Sequence, residues 1–171
     1  MRRCHGTAIK KGGRMAEGLL IHCPIYLLRS MQACGKCGTS QSVVALAAHH
    51  VSDENEKPAS LNPQRLTLLI HIEAMPAELF AEVNRRHPRY VKRQSVTNDF
   101  IYYANTCECS ANFDDYYLYS QPGGAFCPAS LEGIERISRT ALLAKGSLKL
   151  RCGYVEGPPS AEYVDPHRNC S

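Results

Sequence analysis

The chain has 171 residues, 44% of them hydrophobic and 21% charged, with no tryptophan. That is the composition of a single globular domain, and it excludes a disordered, fibrous or collagen-like chain. A net charge of +4 is too small to make nucleic acid the default partner, and no run approaches the ~18 consecutive apolar residues of a membrane helix.

Residues 1–23 read as a basic, flexible N-terminal extension, with Arg2, Arg3, Lys10, Lys11 and Arg14 and no acid before Met15. Arg14, Glu17, His22 and Pro24 interrupt the apolar stretch there, so it lacks the h-region of a secretory signal. A domain is expected over 24–156. Residues 24–33 predict a strand entering Cys34-Gly35-Lys36-Cys37-Gly38, and 41–49 a strand leaving it. Polar, proline-containing 52–63 predicts an exposed loop. Residues 65–74 alternate strictly, with Leu66, Leu68, Ile70 and Ile72 on one face.

Pro76 suits the start of a helix carrying Leu79, Phe80 and Val83, and Pro88 should stop it by Arg86 or His87. An aromatic strand is expected over 99–105, running into Cys107-Glu108-Cys109, and another over 113–120 leaving it. Gln121-Pro122-Gly123-Gly124 marks a turn. Ser130 predicts the cap of a helix bearing Leu131, Ile134, Ile137, Ala141 and Leu142. A final strand is expected over 147–155, then an irregular tail over 157–171 with Pro158, Pro159 and Pro166. The expected fold class is α+β: an antiparallel sheet with zinc-knuckle hairpins and one or two packed helices.

Nine cysteines are an odd number, so complete internal pairing is impossible. With no secretory signal, the expected compartment is the reducing cytoplasm, where close cysteine pairs act as metal ligands. Cys34, Cys37, Cys107 and Cys109 supply four thiolates, the number a closed tetrahedral zinc site needs. Gly35 and Gly38 ease the first turn because glycine tolerates positive φ. The second pair has one intervening residue where a standard knuckle has two, so Cys127, Cys23, His22 and His87 are candidate replacement ligands. An iron–sulfur cluster shows denser cysteine spacing. A redox CxxC needs a helix starting at the motif, and residues 39–46 read as a strand instead.

The CxxCG followed by N-x-C-x-C, carried by Cys34, Cys37, Gly38, Asn105, Cys107 and Cys109, resembles small bacterial proteins with a zinc-ribbon or treble-clef-like core. The aromatic run Phe113 to Tyr119 and the Pro122-Gly123-Gly124 turn extend the likeness over roughly 24–128. The resemblance implies a metal-stabilised fold and brings no assigned activity. The chain departs from it at the shortened second pair.

Arg85, Arg86, Arg89, Lys92 and Arg93, with Tyr90 among them, form the densest charge cluster. They are the candidate contacts of a nucleic-acid-binding alternative. Tyr102, Tyr103, Tyr116, Tyr117 and Tyr119 are the candidate partner surface, with half of them expected in the core. Asp114, Asp115 and Glu108 read as solvent-exposed carboxylates. His49-His50 diverge on a strand, and His71 with Glu73 reads as a structural pair. No P-loop, GxSxG, HExxH or dinucleotide fingerprint is present. The expected function is a zinc-stabilised, non-enzymatic module binding a protein partner. The alternatives are a nucleic-acid-binding zinc ribbon and a metal-dependent hydrolase or nuclease with an open zinc position.

Overall fold

The computed structural model describes residues 18–52, 65–95 and 100–159. Residues 1–17 of the basic extension, 53–63 of the expected loop, residue 99 of the expected aromatic strand and the tail from 160 lie outside the described residues. The first two strands, β1 (Leu19–Ala33) and β2 (Ser40–Ser52), form one long antiparallel hairpin. β1 starts five residues before the expected Pro24. The proline is accommodated at a bulge, where the register shifts between His22 and Ile25, so the N–H it lacks is not missed by the ladder.

The base of this hairpin closes a ring. β2 pairs with β3 (Arg65–Ala74), β3 with β7 (Ser147–Pro159), and β7 returns to β1 through Leu19 to His22. A further strand, β6 (Ser138–Leu143), follows the same edge of β1 from Ile25 to Arg29. β4 (Tyr90–Gln94) and β5 (Ile101–Asn105) form a separate two-stranded ribbon. The architecture is therefore a closed four-stranded antiparallel barrel with one extra strand, and the expected α+β fold with zinc-knuckle hairpins is corrected. Its helices, α1 (Ala77–Arg86), α2 (Asp115–Ser120) and α3 (Leu131–Glu135), are short.

One helix replaces an expected strand, and one strand replaces the end of an expected helix. Residues 113–120 were expected to leave the second cysteine pair as a strand, but Asp114 caps α2 by accepting from the N–H groups of Tyr116 and Tyr117. Asp115, Leu118 and Tyr119 are buried while Tyr116 and Tyr117 are exposed, which is the period of a helix face. The expected helix from Ser130 ends at Glu135, and 138–143 is spent pairing with β1. The helix that Pro76 opens and Pro88 stops is present as α1.

The barrel strands bury both faces. Leu19, Ile21, Ile25 and Leu27 of β1 join Val44, Leu46 and Leu150 in one core that α1 covers with Leu79 and Val83. The alternate β2 residues, Val43, Ala45 and Ala47, face a second core with Leu66, Leu68, Phe113 and Phe126. β3 changes phase partway. Leu66, Leu68 and Ile70 enter the second core, but Ile72 enters the first. His71 has φ +47, and the register breaks between Ile70 and Ala74. A bulge there slips the alternation by one residue.

Candidate metal centre

Cys34 directly follows β1, and Cys37 lies on the turn that leads to β2. The turn closes through Gly38 N–H to Cys34 C=O at 2.8 Å and Cys34 N–H to Thr39 C=O at 2.9 Å. Gly38 has φ +74, which favours glycine. Gly35 has no such requirement among the positive-φ residues, contrary to the sequence expectation. The second turn repeats the closure one residue shorter, with Ser110 N–H to Cys107 C=O and Cys107 N–H to Ala111 C=O at 2.9 and 2.8 Å. Ser110, at φ +64, takes the place of Gly38. The CxC is thus a contracted version of the CxxC turn.

Two side-chain amides bring the turns together. Asn105 is fully buried; its Nδ2 donates to Val44 C=O at 2.9 Å and its Oδ1 accepts from Val44 N–H at 2.8 Å. It covers the edge of β2 beyond the point where β3 stops pairing, acting as a one-residue strand. Gln41 Oε1 accepts from the N–H of Glu108, the residue between the second pair, at 3.2 Å. Cys34 and Cys107 then sit in the second core beside Phe113 and Phe126.

The result is four sulfurs, from Cys34, Cys37, Cys107 and Cys109, all within 4.8 Å of one another. Cys37 Sγ lies 3.5 Å from Cys107 Sγ, and Cys34 Sγ lies 3.7 Å from Cys109 Sγ. Sulfurs tetrahedrally placed at a ~2.3 Å metal bond are ~3.8 Å apart, so the set fits such an ion. None of the seven cysteines among the described residues is in a disulfide. Cys34 and Cys107 are buried, Cys109 half-buried and Cys37 exposed.

Backbone N–H groups of Cys37 and Lys36 hold the Cys34 thiol below its usual range. The Thr39 hydroxyl and N–H lower Cys37 to about 6. At Cys107 the N–H of Cys109 also favours the thiolate, but burial and the neighbouring sulfurs outweigh it and push the group up to about 12. Unaided, the cluster resists becoming four thiolates, because like charges at this spacing repel. A divalent cation removes that obstacle, and its binding releases protons.

The other candidates lie elsewhere. His22 hydrogen-bonds Ser52 and Ser147, while His87 is buried and lowered to about 4 by desolvation, with Arg29 and Arg89 adding to it. Neither these nor Cys23 and Cys127 belong to the four-sulfur group. Arg85 and Arg86 both pair with Glu82, and Arg89 pairs with Glu108. Lys92 stands over the Tyr103 ring at 5.2 Å, and Arg93 is exposed on β4. Tyr102, Tyr103 and Tyr119 are buried in the core, whereas Tyr116 and Tyr117 are exposed on α2. Glu73 pairs with Arg151 at 3.0 Å, and the His71 ring packs edge-on against Phe100 and Tyr102.

Asp115 was read as exposed and is buried; its Oδ2 accepts from His71 N–H at 2.9 Å. Desolvation lifts its carboxyl to about 7 against that hydrogen bond, and Asp114 adds to the rise. Its strand-favouring neighbours Tyr116 and Tyr117 hid it, since it turns inward only on the buried face of α2. No helix among the described residues is long and apolar enough to cross a membrane. No family model, curated protein or solved structure matches the chain.

Proposed function

We propose that the chain is a structural zinc protein, in which Cys34, Cys37, Cys107 and Cys109 close on one Zn²⁺ and the clamped barrel binds a protein partner in a reducing compartment. The observation that carries this reading is the convergence of four sulfurs from two turns at tetrahedral spacing. Zinc is preferred because a tetrahedral thiolate set selects zinc or iron, and two isolated pairs lack the dense spacing of a cluster. Four protein ligands leave no position for a reacting water, which weighs against the hydrolase or nuclease alternative. Ion pairing of Arg85, Arg86 and Arg89 weighs against nucleic acid. Likeness to zinc-ribbon proteins is kept for the first knuckle alone. Tyr116 and Tyr117, exposed on α2, are the proposed partner contacts, since a tyrosine offers apolar area with a polar tip.

Elemental analysis of the purified chain is expected to give one zinc per chain, lost in Cys37→Ser and Cys107→Ser. Iron in its place removes the zinc assignment, and no bound metal removes the whole reading. The Tyr116→Ala, Tyr117→Ala double variant should keep its zinc and lose partner binding.

A further inference from the structure

We propose that oxidation by a peroxide joins the two cysteine turns through crossed disulfides, Cys37–Cys107 and Cys34–Cys109, expelling the metal while the fold persists. The inference rests on the zinc reading and adds a regulation of the same site. Four thiols can pair in three ways. The crossed set already has its sulfurs at 3.5 and 3.7 Å, so each pair must close by only ~1.5 Å to reach the ~2.05 Å bond. Pairing within each turn would require a ring across the single residue Glu108, where the Cys109 N–H is aimed at the Cys107 sulfur.

Loss of the ion does not by itself part the turns. The Asn105–Val44 pair of hydrogen bonds and the Gln41–Glu108 bond span them without using a sulfur. The thiols therefore stay opposed after the metal leaves. Cys37, the exposed member, is the point of entry. Its thiolate attacks one peroxide oxygen, the O–O bond breaks, and hydroxide leaves with a proton as water, giving a sulfenic acid. The Cys107 thiolate attacks that sulfur, forms the S–S bond and releases a second water on protonation. A second peroxide does the same with Cys34 and Cys109. In sum, four thiolates give up four electrons, and two peroxides with four protons become four waters. The divalent ion departs without changing oxidation state.

The test treats the zinc-loaded full chain with hydrogen peroxide in the presence of a chromogenic chelator. Disulfides are mapped after digestion with trypsin and a glutamyl protease. Lys36 separates Cys34 from Cys37, and Glu108 separates Cys107 from Cys109, so each ligand falls on its own peptide. The expected result is one zinc released per chain, peptides linked 37 to 107 and 34 to 109, and an unchanged far-ultraviolet strand spectrum. Dithiothreitol with zinc should restore the starting state. Cys37→Ser should leave the 34–109 link alone. Links 34–37 or 107–109, the alternative cross-links 34–107 or 37–109, sulfinic or sulfonic products, or loss of the strand spectrum would overturn the proposal. A chain that binds no zinc removes the function proposed above, and the same peptide map on the reduced, metal-free chain still decides the pairing.

Discussion

Asn105 does at one residue what a strand does along its length. Its amide meets both the N–H and the C=O of Val44, inside a core where an orphaned backbone group costs ~1–3 kcal/mol. Asn105→Leu orphans the Val44 N–H and leaves its C=O only the Tyr119 hydroxyl at 3.4 Å, and an equilibrium urea titration should show a loss of ~1–3 kcal/mol. The N-x-C pattern made this residue visible as part of a motif. Its job was hidden, because the partner lies 61 positions away. Asp115 is a second buried polar residue whose cost depends on pH. Burial pushes its carboxyl up to about 7 in the folded protein, against 3.8 for an ordinary aspartate. Between those values the folded chain holds a proton that the unfolded chain has lost, so stability falls as pH rises from about 4 to 7 and stays lower above. Thermal melts should show Asp115→Asn more stable than the parent at pH 8, by on the order of 4 kcal/mol at most, and little changed at pH 4. A pair of adjacent aspartates reads as solvated, and only the burial of the helix that carries the second one reverses that.

Among the elements, long strands with clear alternation and the proline-bounded α1 were legible. The short helix α2 was not. Tyr116-Tyr117-Leu118-Tyr119 has high strand propensity, and a single cap from Asp114 with burial of Leu118 and Tyr119 overrides it. The turn after α2 is held tightly against it. A Cβ on Gly124 would stand 2.1 Å from Tyr117 C=O and 2.9 Å from Leu118 C=O, both backbone atoms that cannot swing aside. Gly124→Ala should therefore destabilise by on the order of 2–3 kcal/mol, measured by chemical denaturation. The phase slip in β3 was equally unreadable, since strict alternation through Ile72 gives no hint that His71 turns to positive φ.

The whole molecule joins a barrel and a cysteine-bearing lobe along β1 and β2. Sequence periodicity revealed that strands exist, but not that β7 leaves β1 for β3 and so closes the ring; pairings between strands so far apart carry no local signal. The four thiols were legible because their chemistry depends on residue type and number, which spacing exposes directly. Leu19, Ile21, Leu46, Leu79 and Leu150 form a core containing none of those four cysteines. Metal removal by a strong chelator should thus lower the melting temperature while circular dichroism keeps its strand signal, unlike small fingers that unfold outright without metal. The exposure of Cys37 also bears on kinetics. An incoming chelator can take hold of a bound ion on that side while the three remaining thiolates still grip it. Transfer would then speed up in proportion to the competitor's concentration, rather than wait for the barrel to open.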